Sequence, residues 1–220
     1  RADALVGAIQ YYDAQVDDAR YTMTVARTAA SYGAALATSA RVVGFLRDGE
    51  RVVGVRVRDL ESGDEFEVRA REVIMATGVW TDQLQDQVGG RGRFRVRASK
   101  GIHLVVPRDR INADTGIILR TEKSVLFIIP CGRHWIIGTT DTDWNLDLAH
   151  PAASHADIQY LLKHVNAVLT SPLVPDDIQG VYAGPRPLLA GESEATSTLS
   201  RPHPPPPPAP APLPTPARLS

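Results

Sequence analysis

A single cysteine, Cys131, stands in 220 residues, so no disulfide can form within the chain. Such cysteine usage suits a reducing compartment. Long hydrophobic runs are missing as well: none approaches the roughly 20 residues of a membrane-spanning helix. The N-terminal residues read as no signal peptide, and because the chain starts at Arg1 it is expected to be the interior of something longer. Charge of one sign is also lacking. The 24 basic residues are balanced by 25 acidic ones, so charge supplies no general attraction for nucleic acid or an anionic lipid surface. A metal centre is poorly provided for. Asp141 and Asp143 stand at i, i+2, but no His or Cys has ligand spacing beside them and the carboxylates are too few for calcium.

What is present is the material of a folded protein. The apolar fraction is 43%, and 220 residues accommodate one large or two small domains. Proline is concentrated at one end, with ten of the seventeen prolines between Arg201 and Ser220. That stretch has few backbone donors and is expected to be a disordered, polyproline-like tail over 191–220. A ligand for a proline-recognising domain is its other reading.

The chain opens with an amphipathic pattern over 14–32, in which Ala19, Met23, Ala26 and Ala30 recur at helical spacing. Asp13 is a candidate cap and Gly33 a stop. A meander of three strands is predicted over 35–70, turning at Asp48-Gly49 and Glu61-Ser-Gly-Asp64. Val53, Val55 and Val57 are expected on one face of its middle strand. Val73-Ile-Met-Ala-Thr-Gly78 then reads as a short buried strand, 73–76, running into a tight turn. A glycine there lets the backbone come close to a bulky ligand. A polar, glycine-rich linker follows Asp82 to Arg93. Beyond it lie strands at Phe94–Ala98, Ile102–Val106, Gly116–Arg120, Val125–Pro130 and His134–Thr139. A helix is expected at Asp157–Thr170 and a last strand at Ile178–Tyr182. The resulting division is 1–90, 91–190 and the tail 191–220.

Several residues can carry chemistry. His103 lies on the opposite face of its strand from Ile102 and Leu104. It reads as a half-buried structural histidine or as a general base, imidazole being the side chain that titrates nearest neutral pH. Lys100-Gly101 before it offers a cation and a turn. Arg186, held between Pro185 and Pro187, reads as a surface arginine or as a rigid, bidentate anion grip. Arg201 is a further candidate anion ligand. Gly138-Thr-Thr-Asp141 reads as a turn lining a cleft, and Cys131 as an inert thiol.

The order of five blocks carries a stronger signal than any one of them. These are Tyr11-Tyr-Asp-x-x-Val-Asp-Asp-Ala-Arg20, Ala76-Thr-Gly-Val-Trp80, Ser99-Lys-Gly-Ile-His-Leu-Val-Val-Pro107, Ile136-Ile-Gly-Thr-Thr-Asp141 and Tyr182-Ala-Gly-Pro-Arg-Pro-Leu188. Together they resemble the FAD-dependent glycerol-3-phosphate dehydrogenases over nearly all of Tyr11 to Arg201. The resemblance implies a mixed α/β (α+β) fold of D-amino-acid-oxidase-like architecture. Part of a FAD-binding domain with a β-meander would be joined to an antiparallel substrate domain. It implies FAD as cofactor, sn-glycerol 3-phosphate as substrate, dihydroxyacetone phosphate as product and a quinone as electron acceptor. It also implies a cytoplasmic protein with peripheral contact at the inner face of the membrane, and no nucleic-acid partner. Matched residue by residue, His103 falls on the family's histidine beside the reacting carbon and Arg186 on the arginine that holds the substrate's oxygens. Arg201 falls on a phosphate-pocket arginine, with Lys100 a further substrate contact. Ala76, Thr77 and Gly78 fall on the loop along FAD, and Val42 on a main-chain contact to adenine.

The chain departs from that family in two respects. The Gly-x-Gly-x-x-Gly that cradles the FAD pyrophosphate occurs nowhere in it, since Gly89-Gly90-Arg-Gly92 follows polar residues rather than a buried strand. The family's later Gly-Gly-Lys segment is missing too. Three readings therefore stand: such a dehydrogenase, an inactive truncated piece of one that cannot hold FAD, or a relative acting on another 2-hydroxy or amino acid.

Overall fold

In α1, Asp18–Ser31, the first free backbone N–H groups meet a carboxylate. The Asp17 side chain accepts from the Arg20 N–H at 3.1 Å, as an N-cap should. The cap is thus Asp17 rather than Asp13, whose side chain accepts from the adjacent Ala14 N–H, and the helix starts later than its apolar pattern. Gly33, at φ +94°, ends it in the left-handed conformation that glycine adopts without strain. A computed structural model describes residues 7–88, 95–122 and 125–189, with the backbone of 218–219.

The chain divides into two compact units, with the break at Val73/Ile74 and therefore ahead of the boundary expected at residue 90. The first unit holds α1 and an antiparallel meander, β1 (Ala40–Asp48), β2 (Arg51–Asp59) and β3 (Glu65–Arg69), in the order β1-β2-β3. Both predicted turns join its strands, and Arg58 and Glu65 pair across β2 and β3 at 2.5 Å. The first strand begins at Ala40 rather than 35. On β2 the buried positions are Val52, Gly54 and Val57, because register shifts near Val42 and Leu46 break the simple alternation; Val53 and Val55 are only half-buried. No residue of α1 is buried.

The second unit is built on one antiparallel sheet in the order β10-β5-β8-β7-β6. Its members are β5 (Val96–Pro107), β6 (Ile117–Arg120), β7 (Val125–Cys131), β8 (His134–Gly138) and β10 (Gly180–Leu189). A two-residue strand, β9 (Thr142–Asp143), pairs with β5. One face is dry. Ile102, Leu104 and Val106 of β5, Leu126 and Ile128 of β7, and Trp135 and Ile137 of β8 are fully buried against Leu161, Leu162 and Val165 of α3, His155–Asn166. Each such side chain contributes about 1.5–3 kcal/mol by leaving water. Helix α3 starts in a capping box: Ser154 Oγ accepts from the Asp157 N–H, and the Asp157 carboxylate accepts from the Ser154 N–H.

Four expectations are corrected. The buried strand 73–76 is only Val73–Ile74 (β4), in which Ile74 is exposed, while Met75 just beyond it is buried. The linker after Asp82 begins as helix α2, Thr81–Val88, with residues 89–94 outside the described residues. The two strands expected either side of Lys100 are one continuous strand. The arginine block Gly184–Leu188 is strand rather than loop; β10 lies at the sheet's edge, where prolines displace no ladder donor on the open side. The proline-rich tail lies outside the described residues, apart from Arg218–Leu219, a two-residue strand paired with β4.

Candidate active site

Strand alternation divides β5 between two environments. Its even positions, Lys100 to Val106, enter the core. Its odd positions, Ser99, Gly101 and His103, lie on the other face of the sheet. The antiparallel register sets Tyr182 opposite His103, Gly184 opposite Gly101 and Arg186 opposite Ser99. On the other side it sets Gly138 of β8 opposite His103. Tyr182, His103 and Arg186 therefore share one face, with glycines between and beside them.

Those glycines set how low the functional side chains lie. The His103 ring covers Gly138 so closely that a Cβ there would overlap it, and a Cβ on Gly101 would overlap the Arg186 guanidinium. His103 also stacks on Tyr182, with centroids 4.9 Å apart and planes 14° from parallel. Arg186 is anchored by the segment that leaves β8. Its Nη2 donates to Thr139 Oγ1 at 2.6 Å and its Nη1 to the Thr140 carbonyl at 3.1 Å. The Thr140 hydroxyl in turn accepts from the Ile102 N–H at 3.1 Å, tying the segment to β5. Ser99 donates to Asp141 Oδ1, while Asp141 Oδ2 is buried without a hydrogen-bond partner among the described residues. Asp143 pairs instead with Arg97, so the two carboxylates of the Asp-x-Asp pair serve different partners. No group of metal-ligating side chains occurs among the described residues.

The bend after β4 belongs to the same unit. Gly78 sits at φ +54° with nothing within 4 Å of the place a Cβ would take, so the backbone there is open to close approach. The following 3₁₀ turn, Gly78–Trp80, packs against β10 and β5, and Thr81 Oγ1 fastens it by donating to the Gly78 carbonyl at 2.7 Å.

Lys100 is a correction. It points into the core, 3% exposed, and forms an ion pair with Asp157 at 2.7 Å. It also donates to the Ala152 carbonyl and lies over the Trp144 ring. Its even register in β5 places it on the opposite face from His103. Burial works against the Asp157 carboxylate, but hydrogen bonds from Lys100 and Ser154 outweigh it and hold the carboxyl below its ordinary range. Val42 lies half-buried on β1 in the other unit. Arg201 is outside the described residues. By sequence Thr139 and Thr140 enter only as part of a turn lining a cleft, and Tyr182 only as the end of a strand; the structure sets them against Arg186 and His103. The polar Gly-Thr-Thr-Asp run at the end of a strand was their signal, but only the sheet register shows what they touch. Cys131 is exposed.

The phosphate cradle of a dinucleotide is not built by the described residues. The chain matches the family described as "FAD dependent oxidoreductase" over residues 1–204. It is 66% identical over 201 residues to "Glycerol-3-phosphate dehydrogenase 2" of Mycobacterium tuberculosis, covering 91% of this chain and 34% of that protein. It is 36% identical over 196 residues to "Alpha-glycerophosphate oxidase" of Enterococcus casseliflavus, covering 86% of this chain and 32% of that protein. Among solved structures, the glycerol-3-phosphate dehydrogenase from Bacillus halodurans complexed with FAD superposes with a TM-score of 0.76 at 31% identity, over 83% of this chain and 38% of that one. The chain thus spans about a third of the length of the relatives it matches. By this match, and by an antiparallel sheet that presents a histidine and an arginine on one open face, the chain belongs to the FAD-dependent oxidoreductase family.

Proposed function

We propose that this chain supplies the substrate-facing part of a flavoenzyme that oxidises sn-glycerol 3-phosphate to dihydroxyacetone phosphate. The observation that carries the reading is the shared face of His103 and Arg186, flanking Gly101. Oxidation of a secondary alcohol needs a base for the hydroxyl proton, an acceptor for the hydride and a grip on the anionic end. FAD, when bound, is the two-electron acceptor for the hydrogen on C2. His103 takes the proton from the C2 hydroxyl oxygen, and Tyr182 stacked on it restrains the ring. Arg186 grips substrate oxygens through charge-assisted hydrogen bonds. A dianionic phosphate favours a second cation; with Lys100 committed to Asp157, Arg201 is the candidate within this chain. Ala76, Thr77 and Gly78 would lie along the flavin, and Val42 would meet the adenine through its main chain.

The relatives at 66% identity are named dehydrogenases and those near 36% oxidases. That ordering supports an acceptor other than dioxygen, for which we infer a quinone reached from the inner membrane face. Anaerobic addition of sn-glycerol 3-phosphate to the holoenzyme should bleach the flavin and yield one dihydroxyacetone phosphate per flavin. A flavin left oxidised by this substrate would overturn the reading. Reoxidation that proceeds faster with dioxygen than with a quinone would overturn the choice of acceptor.

A further inference from the structure

The contacts of Arg186 point to a residue that governs it. Its two terminal nitrogens end on consecutive residues, Thr139 through the hydroxyl and Thr140 through the carbonyl, at 2.6 and 3.1 Å. The carbonyl contact comes from the backbone and survives any side-chain change at 140. The hydroxyl contact is the shorter and belongs to one side chain. Gly101 lies beneath the guanidinium, where a Cβ would collide both with it and with the Thr139 hydroxyl, so the two groups meet over a position that carries no side chain. The Thr139 hydroxyl also lies within 3.2 Å of the Thr140 carbonyl. As its one proton goes to that carbonyl, its lone pairs face the arginine, which can only donate.

We propose that Thr139 is a positioning residue: its hydroxyl fixes the plane of the Arg186 guanidinium over Gly101, and thereby sets the affinity of the site for an anionic substrate. This rests on the reading of Arg186 as an anion grip. Without the hydroxyl the guanidinium loses the shorter of these two contacts, and a two-pronged hydrogen bond to an oxyanion tolerates little rotation of its donor. Hydrogen bonds to charged groups are among the stronger ones in proteins, so losing this one should weaken substrate binding by about tenfold.

The test compares T139V, which keeps the shape and removes the hydroxyl, T139S, which restores it, and R186Q. Each is read in the holoenzyme as the concentration of sn-glycerol 3-phosphate that half-saturates flavin reduction. Order of the Arg186 Nε–H group by ¹⁵N relaxation in the 220-residue chain provides a readout independent of turnover. The expected result is half-saturation raised about tenfold in T139V, with the limiting rate falling less. T139S should sit near wild type, R186Q should be raised at least as far as T139V, and the Arg186 side chain should be more mobile in T139V alone of the threonine variants. Half-saturation unchanged in T139V but raised in R186Q would overturn the role of Thr139 and leave the anion grip standing. Half-saturation unchanged in R186Q would overturn the grip, and the inference with it. T139V and T139S equally impaired would show that the hydroxyl is not the cause and would overturn the proposal.

Discussion

At the scale of single residues, the site depends on side chains lying flat over glycines. His103 is flanked by Ile102 and Leu104, both fully buried, so its own orientation follows from strand alternation and was legible in the sequence. Its height above the sheet follows from Gly138 across the ladder. Replacing His103 with Ala should slow flavin reduction in the holoenzyme by about 10²–10⁴, the usual worth of a positioned base; a near-normal rate by stopped flow would remove it from that role. Gly138→Ala should displace the ring and slow reduction as well, because a Cβ there would overlap the imidazole. Substrate half-saturation should change less than the rate in that variant, since Arg186 is anchored separately by Thr139 and Thr140. Residue type alone makes a lysine next to a glycine look available, whereas Lys100 is buried and paired with Asp157. The register of β5 decides this.

At the scale of elements, α3 and β5 are joined through Lys100, Asp157 and Ser154. Removing the Ser154 cap by Ser154→Ala should lower stability by about 1 kcal/mol, measured as a shift in the denaturation midpoint. Lys100→Met should cost more, about 3–5 kcal/mol, because it leaves the Asp157 carboxylate in the core without its cation. The pH dependence has a definite sign. Asp157 has its carboxyl lowered from 3.8 on folding, so its contribution is fully present above that value and is lost as pH falls through the lower folded value. A plot of stability against pH below 4 should be shallower for Asp157→Asn than for wild type. The existence of α1, α3, the meander and most strands could be read from periodicity, whereas their ends could not. Asp13 and Asp17 are equally good caps by type, and only the helix geometry chooses between them. By sequence Ser-Lys-Gly looks like a turn and divides strand β5 in two. The strand is continuous because β10 pairs with it without a break from Gly180↔Val105 to Leu189↔Val96.

At the scale of the whole molecule, the chain carries one complete layered unit, the sheet on α3, and one sparsely buried unit. No residue of α1 is buried and β3 is exposed along its length, so the meander unit lacks a core of the kind the sheet unit possesses. The sequence contains no Gly-x-Gly-x-x-Gly, the element that binds a dinucleotide pyrophosphate. The 220-residue chain purified alone should accordingly show no flavin absorption bands, and a yellow protein retaining stoichiometric FAD would refute this. Adding a dinucleotide-binding segment to it should give a yellow protein.

The sequence by itself determined the identities that chemistry needs: a histidine in an apolar strand, an arginine between prolines, a glycine bend, and the order that links them. These depend on residue type and on local period, which neighbours in the chain fix. Only the tertiary structure decided which of them meet. Sheet register pairs His103 with Gly138 and Tyr182, seats Arg186 over Gly101, and turns Lys100 into the core. Cross-strand pairing is set by packing and hydrogen bonds between residues tens of positions apart, and a shift of one residue would send every side chain of a strand to the opposite face.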